Sequence, residues 1–301
     1  MARCECCPCT GASREGGWFD AITATVSETR ASEYNRMRQI ADYELGELLG
    51  SGSHGRYFKA MPPPRLGLDT EWVAVKILAR HASPEEFQRF TDEVQVFSAL
   101  RSDYLASPLD AGQQDGFLFY TVPFYPDGSL GAGDTAVAPE LAIRAVADAA
   151  RGAHELHEVG LTHRGIKPSN ILLDEGRGVL TDLELAQVLS PGLTISGSGP
   201  IASLDCMAPG RVLGKPATRA TEIWELAATL HKALTKRSVM GDIPNDDVLA
   251  ALRHVTATEP RVDASVAPDI ATLIASCLSA DSVVRPQTAA ALAERLENLL
   301  A

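Results

Sequence analysis

Apolar residues along this chain change their period several times, and the changes mark out its elements. From Phe87 to Phe97 they recur at helical spacing, which predicts an amphipathic helix. Phe117-Leu118-Phe119-Tyr120-Thr121-Val122 is a short continuous apolar run rich in aromatic and β-branched residues, the pattern of a buried strand. Arg56-Tyr57-Phe58-Lys59-Ala60 reads as another strand. Pro62-Pro63-Pro64 behind it can only be a connection, because proline has no N–H to give to a ladder. Further on the period becomes helical. Ile143, Val146, Ala150, Ala153, Leu156 and Val159 fall at i+3/i+4 steps and lead straight into His163. Glu222 to Leu234 predicts a buried central helix, and Leu292, Leu296 and Leu299 give a last helix its apolar face. These stripes are expected to be core.

The start of the chain is different. Residues 1–42 run from glycines and cysteines into a polar stretch, in which Ile22, Val26, Tyr34, Met37 and Ile40 form only a patchy helical stripe. A loosely ordered extension is the expectation for them. Four of the six cysteines, Cys4, Cys6, Cys7 and Cys9, crowd into this start. Closely packed thiolates suit soft metals, but the spacing is not the Cys-x-x-Cys pair of a structural zinc site. A disordered tail, an acylation target, a start codon assigned too far upstream and a metal or redox role stay open for it.

Composition narrows the classes. With 301 residues, 45% hydrophobic and 22% charged, the chain has room for one large domain plus an extension. No apolar run approaches the ~18 residues of a membrane span. The first residues lack the apolar core of a secretion signal, so a cytoplasmic protein is the expectation. A net charge of −12, with no basic run to offset it, speaks against a nucleic-acid surface.

Candidate chemistry sits in ordered motifs. Gly50-Ser51-Gly52-Ser53-His54-Gly55 has Gly-x-Gly-x-x-Gly spacing, which fits a dinucleotide turn or a phosphate loop. The dinucleotide turn needs a helix immediately afterwards, and a strand follows instead. Next come Val73-Ala74-Val75-Lys76, the helix carrying Glu93, His163-Arg164-Gly165-Ile166-Lys167-Pro168-Ser169-Asn170, Thr181-Asp182-Leu183-Glu184, Ala208-Pro209-Gly210 and Arg285-Pro286.

In this order, from about Tyr43 onward, the chain resembles the Ser/Thr protein kinase family. The resemblance implies an α+β, bilobal fold, with a small β-rich lobe over about 43–122 and a large helical lobe over about 126–301. It also implies ATP and Mg²⁺ as cofactors. Gly50, Gly52 and Gly55 would approach the phosphates, and Lys76 would hold them while paired with Glu93. The backbone of Phe124 and Tyr125, next to a gatekeeper Val122, would meet the adenine. Asn170 and Asp182 would carry the metal.

The departures matter as much. Where the family has the aspartate that accepts the substrate proton, this chain has Gly165, which can accept none. Lys167 remains as a γ-phosphate contact. Glu184 replaces a glycine, Gly210 removes the usual partner of Arg285, and Tyr57 stands where a valine normally lies above the adenine. Arg285 is then expected to find another carboxylate or to reach solvent. Tyr57 would either stack on the base or close the pocket. Ser190, Thr194, Ser196 and Ser198 could take a phosphate facing Arg164. The reading that follows is a pseudokinase that binds Mg·ATP and regulates an unidentified protein partner. A weakly active Ser/Thr kinase and a kinase-shaped protein without nucleotide are the alternatives.

Overall fold

The computed structural model describes residues 37–52, 55–182 and 201–301. The cysteine cluster, Glu184 and the four Ser/Thr candidates all lie outside these residues. Six antiparallel strands form one sheet: β1 (Gln39–Ile40), β2 (Tyr43–Gly52), β3 (Gly55–Ala60), β4 (Val73–His81), β5 (Asp110–Gln114) and β6 (Phe117–Pro123). Their spatial order is β1-β2-β3-β4-β6-β5. The sheet begins a few residues before Tyr43. Ile40 pairs with Tyr43 and is fully buried against the sheet, so its place in a helical stripe of the extension does not hold. Met37 packs against the same cluster.

Alternation along β4 explains how the sheet makes a core and a site at once. Val73, Val75 and Ile77 point to one face and pack with Tyr43, Phe58 and Phe119. Ala74 and Leu78 lie on the other face and pack with Tyr120, Val122 and Phe90. Lys76 shares that second face because it sits between them at period two.

Helix α1 (Pro84–Ala99) covers this face, burying Phe90, Val94 and Phe97. Its start is a capping box: Glu86 N–H donates to Ser83 Oγ (3.2 Å), and Ser83 N–H donates back to Glu86 Oε2 (2.8 Å). Pro84 at the first helical position and Glu85 and Glu86 in the first turn complete it.

The helical part is built on α2 (Pro139–Glu158) and α4 (Arg219–Thr235), with a one-turn α3 (Pro209–Val212) and the later α5 (Val248–Ala257), α6 (Pro268–Leu278) and α7 (Ala289–Glu297). Ile143, Val146, Ala150, Ala153 and Leu156 are core as expected. Val159 is not: α2 ends at Glu158, and this side chain is 49% exposed. Small residues let α2 approach its neighbours. A Cβ at Gly178 in the hairpin β7 (Ile171–Asp174)–β8 (Arg177–Leu180) would lie 2.2 Å from Ala145 O. That hairpin sits tight on α2, and it carries the chain from Asn170 to Asp182.

Candidate functional site

Three segments meet at the cleft face of the sheet: β4 with Lys76, the loop 163–170, and Thr181-Asp182 after β8. The loop is held by its backbone. His163 is buried; its Nε2 donates to Thr181 O (2.9 Å), and its Nδ1 accepts from Gly165 N–H (3.3 Å). Glu222, buried on α4, accepts from Arg164 N–H (2.6 Å) and from His157 Nε2 (2.8 Å). The other side of the same residue, Arg164 O, accepts from Arg211, which is ion-paired with buried Glu225 (3.0 Å). Arg164 has φ 68° and Asp182 φ 62°, both in the left-handed region that costs a non-glycine residue ~1–3 kcal/mol. The grips on either side of Arg164 hold that conformation in place.

Within this frame Asn170 is buried, and its Nδ2 donates to Gly165 O (2.8 Å), while Thr181 N–H donates to Asn170 O (2.8 Å). The backbone of position 165 is therefore fixed although its side chain is absent. Lys76 Nζ is in direct contact with Asp182 Oδ1. Burial alone would raise the Asp182 carboxyl, but the Lys76 ammonium beside it holds it below its ordinary value. Lys167 adds to that lowering from the loop.

The predicted pairing of Lys76 with Glu93 is not formed. Glu93 reaches across to Arg164 Nη1 (3.7 Å), and its Oε2 is buried with no hydrogen-bond partner among the described residues. Burial raises its carboxyl, with Arg164 pulling the other way. The physical reason is competition: Lys76 already has the Asp182 carboxylate, and among the described residues Glu93 is left with Arg164. Arg164, expected to wait for a phosphate, is thus engaged by a carboxylate.

Around Lys76 stand two tyrosines, of which only Tyr57 drew attention in the sequence. Tyr57 lies opposite Lys76 in the β3–β4 ladder, and its ring centroid is 5.0 Å from Nζ. Its hydroxyl is 3.0 Å from that of Tyr120, which donates to Asp182 Oδ1 (3.3 Å). Burial pushes both phenols well above their ordinary value, so both stay protonated.

The remaining predicted residues divide. At Gly50 a Cβ would meet nothing within 4 Å, so the first loop glycine leaves open space. Gly55 has φ 148°, and a Cβ there would lie 2.1 Å from Ile77 O; the sheet itself requires this glycine. Gly52 pairs with Gly55 at the end of the hairpin. The Phe124 ring lies 4.6 Å from Lys59 Nζ, which also sits over Trp72 at 4.3 Å, so only its backbone is left for the cleft. Tyr125 is partly buried, its hydroxyl pushed up to about 12 by burial and by Asp174.

Arg285 corrects another expectation. Among the described residues it meets no carboxylate, and its partly exposed guanidinium turns to backbone: Nε and Nη2 donate to Ser279 O (3.0 and 2.8 Å), and Nη1 to Ala220 O (2.7 Å). Ser279 caps the C-terminal end of α6, where carbonyls are left without an intrahelical donor, whereas Ala220 lies in the first turn of α4. At Gly210 a Cβ would make only ordinary contact with Lys215 at 3.6 Å.

Two histidines give a pH prediction. His163 Nδ1 accepts from Gly165 N–H, and His231 Nε2 accepts from Asp263 N–H (3.0 Å). A protonated ring cannot accept, and burial holds both below the ordinary histidine value. Below that value the unfolded chain binds more protons, so stability is full near pH 7.5 and falls as pH drops through 6.5. The limiting slope is about 1.4 kcal/mol per pH unit for each histidine. Urea unfolding across this range measures it, and H231Q should flatten the slope by up to one proton.

An antiparallel sheet closing over a helical body, with a fixed loop and a lysine–aspartate pair between them, defines the bilobal phosphotransferase fold. The family model for the protein kinase domain matches residues 43–296, and the chain belongs to that family. It is similar to the serine/threonine-protein kinase PknB of Mycolicibacterium smegmatis, 30% identical over 264 residues, covering 82% of this chain and 41% of that protein. It is also similar to PrkC of Bacillus subtilis, 30% identical over 260 residues, with 82% of this chain and 39% of that protein covered. The chain thus spans about two fifths of the length of these bacterial Ser/Thr kinases. The kinase domain of Mycobacterium tuberculosis PknI has the same fold, with a TM-score of 0.62 at 18% identity over 86% of this chain and 97% of that one.

Proposed function

We propose that this protein is a nucleotide-binding regulator with a kinase fold and little or no phosphotransfer. Protein kinase domains as a class bind ATP with Mg²⁺. The observation that carries the reading is the loop around Gly165: its backbone is fixed by His163 and Asn170, yet no carboxylate stands at the base position. Among the described residues the nearby acids are engaged elsewhere, Asp182 with Lys76 and Glu93 with Arg164.

The residues present fit Mg·ATP. Asp182 and Asn170 offer hard oxygen donors suited to Mg²⁺, and Lys76 an ammonium suited to phosphate. Among the described residues no group of three or more His, Cys, Asp or Glu forms a self-sufficient metal site. A metal would therefore draw its other ligands from phosphate and water. Bound nucleotide would supply a transferable γ-phosphoryl group. The chain would orient it through Lys76 and neutralise it through Lys167, and nothing at position 165 would take the proton of an attacking hydroxyl.

The test is transfer of γ-labelled phosphate from Mg·ATP to the protein itself and to a basic protein substrate, alongside a thermal shift with and without Mg²⁺. A Mg²⁺-dependent rise in Tm with no label above an Asp182→Ala control is the expected result. Label above that control would return the chain to the active kinases. A Tm indifferent to nucleotide at every Mg²⁺ concentration would leave an interaction protein without ligand.

A further inference from the structure

The chemistry of the two tyrosines goes beyond the nucleotide reading and rests on it. Lys76 lies on the cleft face of β4, and its side chain is just 5% exposed. Three groups cover it: the Asp182 carboxylate, the Tyr57 ring at 5.0 Å and the Tyr120 ring at 5.9 Å. The rings stand edge to face, with centroids 6.5 Å apart and planes at 87°. Their hydroxyls form a chain, Tyr57 OH to Tyr120 OH to Asp182 Oδ1. The ammonium is thus held by aromatic faces and a carboxylate, and the carboxylate is held by the ammonium and a phenol.

We infer that Tyr57 and Tyr120 are positioning residues that gate the nucleotide site, with Tyr57 closing over Lys76 and Tyr120 tethering the oxygen of Asp182 that a metal would need. Phosphate reaches Lys76 only when the Tyr57 ring moves aside. A cation gains Asp182 Oδ1 only when that oxygen exchanges its lysine and phenol contacts. The gate follows from the fold. β3 pairing sets Tyr57 directly opposite Lys76, β6 pairing sets Tyr120 opposite Lys76 on its other side, and all three share one face by alternation. Tyr120 is further fixed by Phe90 of α1, at 6.4 Å between ring centroids.

This arrangement predicts a particular metal dependence. The affinity for Mg·ATP is lowered by both tyrosines. The affinity for ATP without metal is lowered by Tyr57 alone, since only a metal competes with Tyr120 for Asp182.

Calorimetric titration of the full chain with ATP, once in excess Mg²⁺ and once in EDTA, tests this in wild type, Tyr57→Val, Tyr57→Phe and Tyr120→Phe. Tyr57→Val is expected to tighten ATP about tenfold in both conditions, equivalent to about 1.4 kcal/mol. Tyr57→Phe keeps the ring over Lys76 and should gain less. Tyr120→Phe should tighten ATP in Mg²⁺ and leave it unchanged in EDTA. A mere loosening of packing would move both conditions alike, and that result would overturn the gate. Weaker binding by Tyr57→Val would overturn it too, by showing that the ring stacks on the base.

Unchanged affinity in Tyr57→Val, with wild type binding normally, would sink the gate and leave the nucleotide reading intact. Binding by Tyr57→Val but not by wild type would uphold the gate and refute nucleotide binding by the natural chain. No binding by either would remove both. If Tyr57→Val does not fold, the contrast between Mg²⁺ and EDTA in Tyr120→Phe decides.

Discussion

Gly165→Asp is expected to raise Mg·ATP-dependent phosphotransfer by about 10²–10⁴-fold, the usual worth of a positioned general base. The magnitude is large because the loop is already built. Gly165 N–H donates to His163, Gly165 O accepts from Asn170, and Arg164 is gripped through its N–H by Glu222 and through its C=O by Arg211. An aspartate would be carried on a backbone that needs no rearrangement. The lower end, about 10², is expected in the otherwise natural chain, because Glu93 sits on Arg164 and leaves Lys76 to Asp182. Initial rates with γ-labelled ATP measure the gain, with Asp182→Ala in the same background as the control. If Gly165→Asp still binds nucleotide but gains less than a few-fold, the defect lies in Lys76 and Glu93 and not in the base.

The second large effect concerns the buried pair behind the loop. Arg211→Leu leaves Glu225 without its cation in a fully buried site, a loss expected to cost about 3–5 kcal/mol. The same change removes the donor to Arg164 O. The cost carries a pH signature. Burial pushes Glu225 up to about 8 even with Arg211 pulling it down, and without Arg211 it goes higher still. Near pH 7 the variant therefore sheds the charge by holding a proton, and the loss sits at the lower end.

Above pH 8 the natural chain keeps an ionised Glu225 paired with Arg211. The variant must hold the proton or bury a lone charge. Its folded state then binds more protons than the unfolded chain, and its deficit grows by up to about 1.4 kcal/mol per pH unit. Glu225→Gln in the Arg211→Leu background keeps an acceptor for Ala208 N–H and removes the charge, so most of the pH dependence should vanish. Urea unfolding of the single and double variants at pH 7 and pH 9 checks this. A deficit independent of pH would show that Arg211 acts through packing and its bond to Arg164 O.

Much of this protein was legible in its sequence, and the reason is local. Periodicity placed α1, α2, α4 and β6, because each element buries a face whose spacing is its own geometry. Motif order placed Lys76, Asn170 and Asp182 in one cleft, and the structure brings them there. That position 165 carries no acid is a property of one residue type and needs no coordinates. Errors gathered at edges. Val159 continued the stripe past the end of its helix, and Ile40 looked like part of a tail although two residues suffice to pair with β2.

Partner choice was decided only by the tertiary structure. Glu93 could face Lys76 or Arg164, and Asp182 could face a metal or Lys76; sequence spacing does not rank contacts between segments far apart in the chain. Arg285 shows the same limit, since losing a carboxylate partner did not reveal that backbone carbonyls would replace it. Glu222 and Glu225 left a faint signal, two acids inside an otherwise apolar helix, where a buried charge requires a partner. Tyr120 left none, because an aromatic residue in an apolar strand is ordinary core. Its hydroxyl became part of the site through the register of three strands, a long-range geometry that single residues do not encode.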